Sequence, residues 1–320
     1  MKVKKFMKIL NISSGAVGAY FCGRLAQSGV ETAVTVRSDI ELIASKGFTI
    51  NSIDGDFIFK PDQVLKSADE YTGEADYIFV TSKVLPAADT VKLLKNAVKP
   101  KSVIVLLQNG IGIEDAAAQA FPDNEILSVI TYIGVTRTAP GVINHTGGGR
   151  LIIGKFGGGE SAASRQLCDM FTKAGVQTEY TENIAFFRWK KLLWNVPYNA
   201  MSVLGGGLLT TEMTDSGEVE ALSAELMKEV IATARSCGID MPESMVQENI
   251  EYTRNFPPYK TSMLIDCENL RPLEVEAIVG NVVKLARQNK VAIPHLTTLY
   301  ALLQAFDKHR SSTGVYNRKK

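Results

Sequence analysis

The sequence predicts an α/β fold: a doubly wound, mainly parallel sheet in the first half, followed by an all-α domain. Three observations predict it. Strand-like and helix-like segments alternate as far as Thr181. A glycine-bearing turn, "ISSGAVG" from Ile12 to Gly18, stands between the first strand and the first helix. Beyond Thr181 the apolar residues recur at helical spacing, with no convincing strand. The expected domains are therefore residues 1–181 and residues 182–320, with substrate bound in the cleft between them.

The elements follow in order. "MKILNI" is a compact apolar strand, and "AVGAYFCGRLAQSG" behind it has helical spacing and ends at Gly29. "ETAVTVR" is a second strand, ending in Arg37. "ADYIFVTSK" and "SVIVLLQNG" are further buried strands. The stretch from Glu125 to Phe156 reads as several strands with turns, and "ESAASRQLCDMFTKAG" as a helix. Helices are expected at 217–237, 243–255, 273–289 and 297–309, with "RNFPPYKTSM" a proline-marked loop between two of them.

Composition narrows the function classes. Apolar residues make up 45% and charged residues 22%, which is ordinary for a soluble globular chain. A formal net charge of +1 gives no general attraction to nucleic acid or an anionic membrane. No apolar run is long enough to span a bilayer. The basic start leads directly into the first strand and is expected to be a strand start instead of a signal peptide; Met7 is a candidate natural start, with the first six residues an extension. Cys22, Cys168, Cys237 and Cys267 are widely spaced, without metal-ligand or C-x-x-C spacing. Buried free thiols in a reducing cytoplasm are expected. The basic residues from His309 to Lys320 read as a solvated tail, and His145 and His295 as structural.

The glycine turn approaches the G-x-G-x-x-G dinucleotide fingerprint, with Ser13 at the first glycine position. Gly15 would let the backbone approach a pyrophosphate, Gly18 would let helix and strand pack closely, and the helix N-terminus would favour an anion. Serine fits the first position only if its φ stays negative. A plain strand–helix turn is the competing reading. The acidic residue that would hold the ribose of NAD at the end of the second strand is replaced by Arg37, which suits the 2′-phosphate of NADP. Asp39, two residues on, is the NAD-type alternative. Together these residues predict a Rossmann-type NADPH site that includes Ser13, Ser14, Gly15, Ala16, Val17, Gly18 and Arg37.

The chemistry is expected in the second half. In "WKKLLWNVPYN", Lys191, Asn195 and Asn199 share one face of a continuous helix. A cation followed by two amides suits a keto acid: the lysine can protonate a developing alkoxide, and the amides can orient oxygens. Lys190 is the competing cation, pointing elsewhere. In "SMLIDCENLRPLEVEAIVGN", Pro272 suits a first helical turn and Glu274 lies near a helix N-terminus. Asp266 and Glu274 read as caps or ion-pair partners as well as catalysts.

These stretches together resemble the ketopantoate reductase family (2-dehydropantoate 2-reductase) over nearly the whole chain. The lysine–asparagine helix, "SMLID" at 262–266 and "RPLE" at 271–274 are the specific part; the glycine turn, Arg37, "TSK" ending at Lys83 and "QNG" at Asn109 accompany them. The resemblance implies that NADPH gives hydride to the 2-keto carbon of ketopantoate, forming pantoate for the pantothenate and coenzyme A pathway. It implies Lys191 as general acid and Glu274 as the holder of the substrate hydroxyl. It puts Asn195, Asn199 and Ser262 on the substrate, Asn109 and Lys83 where the nicotinamide meets it, and Asp266 in support.

Three positions depart from that pattern. Ser13 replaces glycine, Leu273 stands where threonine is usual, and Pro197 falls between the two asparagines. Proline there removes the bond to the Leu193 carbonyl and should bend the helix, or end it. Two other readings stay open: a paralogue reducing another branched 2-keto acid, and a redox sensor that holds NADP without turnover. The apolar helices of the second domain fit a homodimer face and an ordinary core alike.

Overall fold

The computed structural model describes residues 7–314. The candidate extension at 1–6 and the end of the basic tail, 315–320, lie outside the described residues. The chain forms two compact units. The first runs through Lys83 and adds Ala88–Gln108 and Ile113–Ile184; the second takes Val84–Ala87, Asn109–Gly112 and the chain from Ala185. Two short loops of the first half thus belong with the second unit, which a single boundary at 181/182 does not capture.

The first unit is built on a ten-stranded sheet. Its strands are β1 (Lys8–Ile12), β2 (Glu31–Thr35), β3 (Phe48–Ser52), β4 (Phe57–Phe59), β5 (Gln63–Leu65), β6 (Tyr77–Val80), β7 (Val103–Leu106), β8 (Ile126–Ala139), β9 (Val142–Lys155) and β10 (Thr178–Tyr180). Its helices are α1 (Ala16–Gln27), α2 (Ile40–Lys46), α3 (Thr90–Leu94), α4 (Asp115–Ala120) and α5 (Ala162–Lys173). The strand order is β4-β3-β9-β8-β7-β6-β1-β2-β5, with β10 beside β9. All pairings are parallel except β3–β4 and β8–β9. The central strands are apolar runs because both faces are covered: every residue of β6 is buried, as are four of the five in β1. β1 has β2 on one side and β6 on the other, so the strand order reverses at its carboxyl end. Ligands of open α/β sheets bind at such a switch point, and the glycine turn follows β1 there.

Several details differ from the sequence expectations. The several strands expected from 125 to 156 are one antiparallel pair of 14-residue strands, with register shifts that bend it. β2 ends at Thr35, so Arg37 lies beyond the strand. The three-residue strands β4, β5 and β10 carry too few residues for a clear pattern, and β3, with alternating burial, is a further strand beyond those expected.

The second unit is helical: α6 (Ile184–Leu204, entered from the first unit), α7 (Thr210–Asp215), α8 (Gly217–Ser236), α9 (Ser244–Arg254), α10 (Ser262–Glu268), α11 (Asn281–Gln288) and α12 (Pro294–Ser312). Its core gathers Leu192, Leu193 and Val196 of α6 with apolar residues of α8, α9, α11 and α12. The helix expected over 273–289 is a wide π-turn at Glu276–Gly280 followed by α11, and Pro272 lies ahead of it instead of in its first turn. The C-terminal basic residues His309 and Arg310 belong to α12.

Cys22 and Cys168 are buried as expected, but Cys237 is exposed and Cys267 half-buried; all four are free. His145 is buried against Ser52, and the ring of His295 lies 2.8 Å from Glu229, whose carboxylate also takes the backbone N–H groups of His295 and Leu296 at the start of α12. Among the described residues no helix is long and apolar enough to cross a membrane, and no cluster of His, Cys, Asp or Glu could hold a metal ion.

Candidate active site

The glycine turn is clamped by buried polar groups. Ser13 adopts φ 62°, in the left-handed region. The expectation of a negative φ is therefore wrong, and the serine carries the strain that a glycine would avoid. That conformation costs an L-residue about 1–2 kcal/mol. The surroundings offset it. Ser13 N–H donates to Thr35 Oγ1 at 2.8 Å, and Ser14 N–H to the Thr35 carbonyl at 2.8 Å. The Thr81 hydroxyl lies 3.1 Å from the Ser13 carbonyl and 3.0 Å from Asn11 Oδ1. Asn11, fully buried in β1, donates to Ser14 Oγ at 2.9 Å.

The two glycines differ in kind. A Cβ on Gly18 would fall 2.2 Å from Asn11 Nδ2 and 2.5 Å from Thr81 Oγ1, so only glycine fits. A Cβ on Gly15 would meet nothing within 4 Å. Gly15 opens α1, no side chain caps that helix, and no acid lies in its first turn. Open space before an uncapped helix N-terminus fits a phosphate group, and Ala16 and Val17 begin the helix.

Beyond β2, Arg37 is exposed. Asp39 is not open in the same way: its carboxylate is ion-paired with the guanidinium of Arg137, from the far end of β8. Lys83 is half-buried, just beyond β6.

In the second unit, α6 carries the expected face. Lys191 is half-buried, and its Nζ donates to Asn109 Oδ1 at 2.6 Å. Burial pushes the Lys191 ammonium down to about 7; the nearby Arg188 guanidinium pushes the same way, and Glu274 opposes. Glu274 is buried and accepts the Val84 N–H at 2.9 Å. Lys190, the competing cation, is exposed.

The loop bearing Asn109 is held from three directions. Arg188 Nη1 donates to the Gly110 carbonyl at 3.0 Å, Ile111 N–H to the Ala277 carbonyl at 3.0 Å, and Asn281 Nδ2 to the Ile111 carbonyl at 2.7 Å. Gly110 has φ 107°, and a Cβ there would fall 2.4 Å from the Ala277 oxygen.

Pro197 does not end the helix: α6 runs unbroken through it to Leu204. The two asparagines nevertheless part company. Asn195 is buried, and its amide takes no hydrogen bond from or to another side chain among the described residues. Asn199 has no exposure at all. Its Nδ2 donates to the Asn195 carbonyl at 3.0 Å, and its Oδ1 accepts from Met263 N–H at 3.1 Å and Ser262 Oγ at 3.3 Å. Asn199 thus holds the start of α10 and, with it, Ser262, which is exposed. Asp266 is buried with Arg271 3.8 Å away, and Leu273 is core.

Arg188, Asn281 and Arg137 are functional positions beyond those the sequence patterns mark. Arg188 had a signal, since it lies three residues before Lys191 and shares its face. Asn11, an amide inside an apolar strand, had one too. Asn281 and Arg137 act across long sequence separations and had none.

A switch-point glycine turn in one unit, and in the other a lysine depressed toward neutrality beside an amide and a carboxylate, define a two-unit α/β–α oxidoreductase. The family model "Ketopantoate reductase PanE/ApbA" matches residues 9–158, and its C-terminal counterpart matches residues 183–307. The chain belongs to the ketopantoate reductase family. A 2-dehydropantoate 2-reductase from Nostoc sp. is 33% identical over 95% of this chain and 96% of its own. A crystal structure of 2-dehydropantoate 2-reductase from Methylococcus capsulatus aligns at 43% identity and TM-score 0.91, over 95% of this chain and 98% of its own. A D-mandelate dehydrogenase solved with NADH and anilino(oxo)acetate shares the fold at TM-score 0.86 and 23% identity, over 95% of this chain and 99% of its own.

Proposed function

We propose that this protein is an NADPH-dependent 2-dehydropantoate 2-reductase, reducing ketopantoate to pantoate in the cytoplasm for pantothenate and coenzyme A biosynthesis, with Lys191 as general acid. The observation that carries this reading is Lys191 itself: an ammonium depressed to about 7 and held by Asn109. A donor with a pKa near the working pH serves proton transfer best. The relatives named as 2-dehydropantoate 2-reductases support the substrate.

NADPH, when bound, supplies the hydride. The backbone N–H groups of Ala16, Val17 and Gly18 at the start of α1 would hold its pyrophosphate. They stand on a turn shaped by Ser13, Ser14 and Gly15, whose own N–H groups are bonded within the first unit. Arg37 would hold its 2′-phosphate. Lys83 and Asn109 would serve the nicotinamide end. Negative charge growing on the keto oxygen would be met by the Lys191 ammonium, which gives up one proton and is left as a neutral amine. Glu274 would accept the substrate hydroxyl, while the open amide of Asn195 and the exposed Ser262 would orient substrate oxygens. Asn199 would act through the position of Ser262, not by touching substrate.

A second reading keeps the chemistry and changes the acid. Leu273 sits in the core where the family resemblance calls for threonine, and the shared fold of a D-mandelate dehydrogenase shows that the architecture is not tied to one acid. NADPH oxidation by the purified protein, with ketopantoate against 2-ketoisovalerate, tests both. At least tenfold higher kcat/KM for ketopantoate is expected. Preference for 2-ketoisovalerate would favour the second reading. NADPH binding without turnover of either acid would point to a sensor, and no NADPH binding at all would reduce the glycine turn to a plain turn.

A further inference from the structure

Two residues on the loop after β2 favour opposite cofactors. Arg37 suits a phosphate on the adenosine ribose, whereas a carboxylate such as Asp39 suits a free ribose diol and repels a phosphate dianion. The structure adds a third residue. Arg137, near the end of β8, pairs its Nη2 with the Asp39 carboxylate and donates from Nη1 to Ser38 Oγ at 3.2 Å. Its Nε faces the Ala139 carbonyl at 3.4 Å, which turns the guanidinium back toward the loop. The long β8–β9 pair is what carries this arginine to a loop 98 residues earlier in the chain.

We infer that Arg137 is a specificity-determining residue that selects a 2′-phosphorylated adenosine nucleotide over its unphosphorylated counterpart. It does so in two ways. It cancels the charge of Asp39, so that Arg37, Asp39 and Arg137 together carry one net positive charge instead of none. It also engages Oδ2 of the Asp39 carboxylate, one of the two oxygens that would otherwise accept the ribose hydroxyls. Ser38 takes its bond from Arg137 as an acceptor, so its own hydroxyl proton stays available to a phosphate. The Asp39 side chain is 17% exposed and that of Arg137 39%, so the pair lies at the surface, where a nucleotide can reach it. Arg137 has this role only if the nucleotide binds the glycine turn as proposed above.

The test is calorimetric titration of the full chain with 2′,5′-ADP and 5′-AMP. These probes differ only by the 2′-phosphate and need no turnover. The unaltered protein is expected to prefer 2′,5′-ADP. Arg137→Ala should weaken 2′,5′-ADP at least tenfold and leave 5′-AMP unchanged or tighter; retained 5′-AMP binding also reports an intact site. Arg137→Ala with Asp39→Asn should recover at least threefold for 2′,5′-ADP, because the repelling charge is gone. A preference unaltered in Arg137→Ala, or equal losses for both probes, would overturn the role of Arg137 while leaving the cofactor site standing. No preference in the unaltered protein, together with no effect of Arg37→Ala, would overturn the 2′-phosphate site itself.

Discussion

Lys191 Nζ lies 2.6 Å from Asn109 Oδ1, although 82 residues separate them in the chain. The amide can accept from the lysine but carries no charge, so it orients the ammonium without holding it protonated. A carboxylate in that place would raise the lysine's pKa; here burial and Arg188 lower it to about 7.

Replacement of Lys191 by alanine should cut turnover at least about a hundredfold while NADPH still binds. Lys190→Ala should change it less than about threefold, since Lys190 points to solvent. The donor form is the ammonium, so ketoacid reduction should fall as pH rises through about 7. Alcohol oxidation needs the neutral amine and should rise over the same range. Steady-state rates in both directions across pH check the sign; parallel profiles would show that Lys191 is not the acid.

Arg188→Met should move the alkaline limb of the reduction profile upward, because one of the charges depressing Lys191 is gone. It should also cost about 1–3 kcal/mol of stability, since the Gly110 carbonyl loses a charged donor. Denaturant titration alongside the pH profile separates the two effects. An unmoved limb would leave Arg188 a purely structural residue.

The glycine turn should respond oppositely at its two ends. Ser13→Gly relieves a left-handed serine and should be neutral or stabilising by up to about 1 kcal/mol, with NADPH affinity changed less than about tenfold. Gly18→Ala drives a methyl into Asn11 and Thr81 and should cost about 1–3 kcal/mol. Chemical denaturation with a calorimetric NADPH titration measures both. A destabilised Ser13→Gly would mean that the serine's hydroxyl has a role its contacts do not reveal.

Asn195 and Asn199 should separate by readout. Asn199→Ala deletes the acceptor of a buried N–H in α10 and should lower stability by about 1–3 kcal/mol. Asn195→Ala loses no side-chain partner and should keep stability within about 0.5 kcal/mol, while kcat/KM falls at least about tenfold. Thermal melting paired with steady-state kinetics distinguishes them, and reversed outcomes would exchange their roles.

The strand–turn–helix at Ile12–Gly18, the change from alternating to helical segments, and the lysine–asparagine face were all legible in the sequence. Each is local: apolar periodicity and residues three or four apart set it without reference to distant chain. What lies beyond that range was decided by tertiary structure. Asn195 and Asn199 look equivalent by spacing, yet the arrival of α10 consumes the amide of one and not the other. Arg37 and Asp39 compete on paper, and a strand about a hundred residues downstream brings the arginine that occupies the acid. The steric limits of Ser13 alone disfavour a left-handed φ, but polar partners from β1, β2 and the segment after β6 hold it there. A side chain's type and its neighbours on one helix follow from sequence; its hydrogen-bond partners and its charge at neutral pH depend on which distant groups share its buried space.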